Sequence, residues 1–448
     1  MRTLIRGGRL VLPEGLRDGE LLLEDGRIEG IGAAGELRAE RVLDAAGCYV
    51  LPGLVDLHVH LDDRIGGCFL ADTYESGSRV ALQNGVTTLC SFITQGPGEG
   101  LRAAVDRALG RARGRTHADL AWHLTPTRFE DRDWAELEAL LAAGWRTVKL
   151  YTTYREAGLL CDEARMDALF SRLGPLDARF LVHAEDDAVI AGVDASRLDL
   201  SRAASHALLR PEEAELLAME YVAALALCNR VPLHFVHVSG LRSAELLPRW
   251  RGLGDVTAET CPQYLWLDSG WLARADGHRW ICSPPLRDGR EAFRERARAG
   301  AFEVFATDHC PFRTGDKDAW GGKDCRRVPG GLPGLGALMH AVWRLHGDDP
   351  DQAARELALR CAANPARIAG LAHRKGALAP GLDADVLVLD PAGPERPVRS
   401  TLAPCAEPYP LLATRLQVRH LLLRGREVVA GGALCHPGAP TGLCLPEA

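Results

Sequence analysis

Apolar positions along the chain fall into two textures. Through the middle, short apolar runs at 53–60, 86–93, 120–125, 147–151, 180–183, 233–238, 256–260 and 302–307 read as strands. Between them lie amphipathic stretches at helical spacing, such as 71–83, 163–173 and 211–228, with glycine and proline at many junctions. Strand and helix alternating in this way predict a parallel α/β fold, and eight units favour closure into a (β/α)8 TIM barrel over an open sheet. The chain ends differ. Residues 4–8, 20–28 and 41–44 read as short strands joined by turns, and 383–390 and 418–429 repeat that texture. The two ends together predict one small β-sandwich domain of residues 1–50 and 378–448, beside a barrel domain of residues 51–377.

Composition is compatible with this picture and narrows it. A chain of 448 residues holds a barrel of about 250 residues and a smaller domain besides. Its net charge of -7 offers no electrostatic reason to expect nucleic acid or an anionic membrane as partner. No apolar run approaches the roughly 20 residues of a membrane span, and residues 1–9 lack the apolar core of a signal peptide. The 13 cysteines form no C-x-x-C pair, and their odd number fits reduced thiols in a cytoplasmic protein.

Candidate chemistry sits at the ends of the strand-like runs. The first ends Asp56-Leu57-His58-Val59-His60, and side chains two apart on a strand face the same way. Alone, such a pair reads equally well as two packed core histidines or as two metal ligands. Lys149, His183, His237 and Asp308 then recur at the ends of four further runs. In a barrel those ends converge on one face, which favours a shared site over six separate core accidents. Lys149 is the most informative. Of 53 basic residues only Lys149, Lys317, Lys323 and Lys375 are lysines, so arginine is this chain's habitual cation. Between Val148 and Leu150 burial would push the amine toward its neutral form. A neutral amine can add carbon dioxide to give a carbamate able to bridge two metals. The other reading is a lysine paired with a barrel carboxylate. Imidazole and oxygen donors suit two divalent ions, zinc before manganese, iron or cobalt. Two such ions about 4 Å apart would share a bridging hydroxide and polarise a carbonyl, which is machinery for hydrolysis.

Taken together, these residues resemble the amidohydrolase superfamily, and within it the hydantoinase and dihydropyrimidinase branch, along nearly the whole chain. The resemblance implies a binuclear centre held by His58, His60, Lys149 as its carbamate, His183, His237 and Asp308. It implies Asp308 as the group that carries a proton from the hydroxide to the leaving nitrogen, and Tyr154, five residues after the lysine, as oxyanion donor. Cys261-Pro262-Gln263-Tyr264-Leu265, Ser283-Pro284-Pro285-Leu286-Arg287 and Asp308-His309-Cys310-Pro311-Phe312 look like hydantoinases. Dihydroorotases usually carry an arginine directly after His-x-His-Leu, where this chain has Asp62.

Two departures bear on the substrate. The branch's Pro-Asn-Gly ring-binding loop reads Pro329-Gly330-Gly331 here, leaving backbone groups at Gly330, with Ser283, to meet the ring. The loop Asp62-Asp63-Arg64-Ile65-Gly66-Gly67 is more charged than usual, and Arg64 is a candidate to meet a polar or acidic substituent. His123, His206, His234 and His340 lie outside the ligand positions and are expected to be structural. The reading implied is hydrolysis of a hydantoin or dihydropyrimidine-like cyclic amide by a homo-dimer or homo-tetramer. Dihydroorotase or allantoinase chemistry is the nearest rival. A non-catalytic scaffold relative is the rival from another class, disfavoured by six filled ligand positions.

Overall fold

Strands buried on both faces need cover on both sides, and the eight apolar runs obtain it by closing on themselves. In this computed structural model, which describes residues 2–410 and 412–445, they are β1 (Leu54–Val59), β2 (Val86–Thr94), β3 (Asp119–Thr125), β4 (Thr147–Tyr151), β5 (Arg179–His183), β6 (Leu233–Phe235), β7 (Val256–Thr260) and β8 (Val304–Phe305). Each lies parallel to the next in chain order. The ring closes through a parallel bridge between Val59 and His309, where the His60 N–H donates to the His309 carbonyl at 2.8 Å. Asp56 adds a staple from β1, accepting the Thr307 hydroxyl at 2.6 Å and the Thr307 N–H at 3.0 Å. β6 and β8 are shorter than the apolar runs suggest. His237 and Asp308 take φ of 39° and 48°, left-handed values that a regular strand excludes.

The helices follow their amphipathic stretches closely. Those expected over 163–173 and 211–228 are Glu163–Leu173 and Glu212–Asn229. The first begins later than its pattern, as Tyr74–Gln83. Its start is fixed by a capping box, in which the Thr73 hydroxyl accepts the Ser76 N–H and the Ser76 hydroxyl accepts the Thr73 N–H.

Both ends of the chain contribute to a second, nine-stranded sheet, joined where Tyr49–Pro52 pairs antiparallel with Val386–Asp390. This β-sandwich has its own apolar core, with Ile5, Leu10, Leu21, Val50, Val386 and Leu422 among its members. Residue 1 and residues 446–448, the outer limits expected for it, lie outside the described residues. Two of the terminal runs are hairpins. Residues 20–28 are cut at Asp25-Gly26 and 418–429 at Arg424-Gly425, where φ is 47° and 80°, then 47° and 72°. Two successive positive values make the tight turn that matches strand twist. Between sandwich and barrel, Lys375 is buried with its Nζ 2.8 Å from Asp119 and 2.6 Å from Asp385.

The far end of the barrel is sealed by the segment 441–445. The Leu120 N–H donates to the Leu443 carbonyl at 2.8 Å, and the Leu445 N–H to the Leu120 carbonyl at 2.7 Å. Gly442 passes so close that a Cβ there would lie 1.9 Å from the Ala118 carbonyl oxygen. Leu445, 1% exposed, packs with Val55, Leu57, Cys90, Ala121, Val304 and Ala306, alternate residues of β1, β2 and β3 with the run through β8. Leu445→Ala is therefore expected to cost about 2 to 5 kcal/mol, the usual range for a cavity left by a buried leucine. Denaturant unfolding followed by circular dichroism will show it as a lowered midpoint, and an unchanged midpoint would mean that the segment does not seal the barrel in solution.

Candidate metal centre

At the other end of the barrel, strand geometry brings the candidate ligands together. In β1 the period of two puts His58 and His60 on one side, with their Nε2 atoms 3.2 Å apart. Asp308, just past β8, places Oδ1 3.3 Å from His58 Nε2 and 3.5 Å from His60 Nε2. The three donor atoms all lie within 4.8 Å of one another. His237 follows β6, its ring centroid 5.2 Å from that of His58 and 4.5 Å from that of His183 at the end of β5. Lys149 reaches in from β4, its Nζ 5.4 Å from the Phe92 ring centroid and 4.9 Å from that of Tyr151. Neither Lys149 Nζ nor His237 Nδ1 has a hydrogen-bond partner, although both are buried.

Carboxylates on the outer side orient the imidazoles. His58 Nδ1 lies 2.5 Å from Glu259 Oε1, and the other Glu259 oxygen is 3.1 Å from His234 Nε2. Glu259 Oε1 also accepts the His237 N–H at 3.2 Å. His183 Nε2 lies 2.8 Å from Glu185 Oε2, and Glu185 is paired with Arg210. In His58 the carboxylate holds Nδ1 and leaves Nε2 toward His60 and Asp308, and Glu185 holds one nitrogen of His183, the usual preparation of a histidine for a metal. Burial holds His58 below its ordinary value and brings His183 down to about 4, so both are neutral near pH 7. Burial likewise pushes Lys149 down to about 7, against the opposing pull of Glu259 and Asp308.

This donor set fits a divalent cation. Bare imidazole nitrogens, a carboxylate and a partnerless buried amine would otherwise face one another with nothing between them to satisfy. Of the two readings of Lys149, pairing with a barrel carboxylate is absent from its contacts. Three of the converging residues also hold uncommon backbone. Tyr154, His237 and Asp308 have φ of 65°, 39° and 48°, a concentration of left-handed residues typical of functional sites.

The remaining candidates divide. The Tyr154 ring lies 5.1 Å from that of His183. Ser283 precedes a cis proline, and Gly330 adjoins it so closely that a Cβ there would meet Ser283 Oγ at 3.3 Å. Arg64 stands apart. It is exposed on the small hairpin formed by Arg64–Ile65 and Cys68–Phe69, with its Nε on the Gly67 carbonyl and its guanidinium over Phe69. His123 and His206 are tied to neighbouring groups, at Thr147 and the Leu57 carbonyl and at the Cys282 carbonyl. His340 is tied in the same way to Thr414. His234 instead shares Glu259 with His58. Glu185, Arg210, Glu259 and Asp56 were not singled out from the sequence. A visible signal did exist for Glu185 and Glu259, since each is an acidic residue at or beside an otherwise buried strand end.

Comparison with known proteins agrees with this arrangement. Residues 174–428 match the family described as "Amidohydrolase family". A D-hydantoinase from Streptomyces coelicolor is 33% identical over 402 residues, covering 87% of this chain and 86% of that protein. A D-phenylhydantoinase from Escherichia coli is 35% identical over 403 residues, with coverage of 87% and 86%. Among solved structures, a dihydropyrimidinase from Brevibacillus agri superposes with a TM-score of 0.93 at 27% identity, covering 100% of this chain and 99% of that one. A D-hydantoinase structure gives 0.91 at 30% identity, with coverage of 99% and 98%.

The burial of Lys149 has a thermodynamic signature. Its value in the fold, about 7, lies below its ordinary 10.5. Between those two pH values the unfolded chain binds the extra proton. The cost of burying the lysine is therefore present in full below pH 7 and vanishes as pH rises through 10.5. In metal-stripped protein Lys149→Met should raise stability, by a few kcal/mol more at pH 6 than at pH 10, on the order of the linkage for such a shift. Denaturation midpoints of the two proteins across that range measure it, and a difference independent of pH would refute the depressed value.

Proposed function

Because the chain belongs to the amidohydrolase family, in its hydantoinase branch, we propose that it hydrolyses the ring of a hydantoin- or dihydropyrimidine-type cyclic amide at a binuclear divalent metal centre. The ligands in this reading are His58, His60, Lys149, His183, His237 and Asp308. The observation that carries it is the convergence of His58, His60 and Asp308 beside the partnerless Lys149 amine. Zinc suits the imidazole and carboxylate donors. When bound, the ions supply Lewis acidity, making water nucleophilic near neutral pH and polarising the scissile carbonyl.

The protein's own groups have distinct tasks. Neutral Lys149 Nζ forms an N–C bond to carbon dioxide and loses one proton, which turns a single amine into a carbamate with two oxygen donors. Its depressed basicity supports this step, since only the unprotonated amine can attack. Asp308 Oδ1 takes a proton from the attacking water and gives it to the ring nitrogen as the C–N bond breaks. The product is the open-chain N-carbamoyl amino acid. Tyr154, beside His183, donates its hydroxyl to the carbonyl oxygen as negative charge grows there. Burial raises that phenol to about 12, which keeps its proton in place for donation. Ser283 and the neighbouring Gly330 present backbone groups to the ring amide. In this reading Arg64 acts at the rim, on the substituent, and its exposed hairpin supports a place outside the ring pocket.

The direct test pairs metal analysis with a panel of hydantoin, dihydrouracil, dihydroorotate and allantoin. Ring opening of the first two, with about two equivalents of metal per chain as a binuclear site requires, is the expected result. Turnover of only dihydroorotate or allantoin would move the substrate to the rival class, and neither metal nor turnover would favour a scaffold. Lys149→Ala should lose metal and activity together, and a fully active variant would overturn the binuclear assignment.

A further inference from the structure

One charge at the barrel mouth has no part in the mechanism above. Arg210 follows the helix Ser205–Leu209, and its side chain is only 12% exposed. One edge of the guanidinium is given to Glu185: Nε lies 3.1 and 3.2 Å from the two carboxylate oxygens, and Nη2 lies 2.7 Å from Oε2. Its Cζ stands over the Tyr154 ring, 4.9 Å from the centroid. The backbone here is also held, since Arg287 Nη1 donates to the Arg210 carbonyl at 3.1 Å. Glu185 is itself fixed by the Thr152 hydroxyl, which accepts its N–H at 2.8 Å, and by His183. A guanidinium committed along one edge in this way is fixed in place, which keeps its charge over the phenol.

A cation over an aromatic face is attracted to the ring's electron density, more strongly where water is excluded. Negative charge spreading onto the phenol as its proton is shared with an oxyanion strengthens that attraction, because screening is weak in a buried site. The interaction therefore grows toward the transition state, which is the condition for accelerating the chemical step rather than binding alone. Tyr154 needs external support in any case. Its backbone is left-handed, and its ring is located by Arg210 on one face together with His183 and Tyr151 at centroid distances of 5.1 and 5.9 Å.

We infer that Arg210 is a positioning residue for ring opening: locked by Glu185, it fixes the Tyr154 ring and strengthens its hydroxyl as donor to the developing oxyanion. This rests on the reading of Tyr154 as that donor. Lysine at position 210 keeps a positive charge for Glu185 but loses the two-point grip that holds the charge over the ring, so it separates a fixed cation from a simple ion pair.

The test uses metal-loaded protein with Arg210→Lys, Tyr154→Phe and the double variant, assayed on whichever ring of the panel is opened. R210K is expected to lower kcat about 10- to 100-fold while KM moves less than about threefold, the pattern of an interaction made mainly in the transition state. Metal content and melting temperature should stay near those of the unsubstituted protein. In the Y154F background R210K should change kcat by less than about threefold, because the partner through which it acts is gone. An equal loss in both backgrounds, or loss of metal in R210K, would overturn the inference while leaving the Tyr154 reading intact. Full kcat in Y154F alone would overturn that reading instead. If R210K does not fold, Arg210→Gln, which retains a hydrogen-bond donor for Glu185, is put through the same cycle.

Discussion

Closure of the barrel between its first and last strands is the constraint from which the candidate centre follows. His58 and Asp308 are far apart along the chain, and they meet because Asp56 accepts two hydrogen bonds from Thr307 just beneath them. Hydrogen bonds to a buried carboxylate are among the stronger ones available, and burial itself raises Asp56 to about 7. The staple is therefore formed against a desolvation cost, which makes its geometry demanding. The His60 N–H to His309 carbonyl bond continues the seam one step higher. With both in place, two imidazole nitrogens and a carboxylate oxygen are left facing each other across the closure.

Around that seam, charges are arranged so that the inward imidazoles stay neutral and the outward carboxylates stay ionised. Glu259 and Glu185 are held well below the usual carboxylate range by the histidines and, for Glu185, by Arg210, although burial opposes this. Each negative charge lies on the far side of an imidazole from the centre, where it fixes the ring without occupying the space for a cation. Lys149 has no such partner. A buried amine in that position is costly as an ammonium, and this cost holds it toward its neutral form.

How much of this was legible in the sequence depends on the range of the interaction. Period-two spacing sufficed for His58 and His60, and eight apolar runs sufficed for the barrel, because both are local patterns. In the terminal runs 20–28 and 418–429 the strand-and-turn texture was legible, but the exact turn positions, Asp25-Gly26 and Arg424-Gly425, interrupt the apolar sequence only briefly. β6 and β8 are shorter than their runs, and left-handed backbone at His237 and Asp308 follows each of them. Glu259 and Arg210 escaped notice for a different reason. Their importance lies wholly in partners distant along the chain, and an acidic residue at a strand end or a basic one after a helix carries no mark of which partner it will meet. Arg64 is the converse case. Its charge was conspicuous in the sequence, yet its nearest partners are within its own hairpin.

The leucine-sealed end of the barrel bears on how this protein can be made. Val55 and Leu57 leave the ribosome early, but the residues that cover them, Leu443 and Leu445, come nearly four hundred residues later. Tyr49–Pro52 likewise waits for Val386–Asp390 before its sheet is joined. At about 5 to 20 residues per second, the translation delay is roughly 20 s to over a minute. Until then the apolar face that Leu445 covers and the edge that Val386–Asp390 pairs lack their native cover, and uncovered apolar faces and strand edges favour aggregation or chaperone binding. The architecture that unites the two chain ends thus defers completion of the fold until after most of the chain has been synthesised.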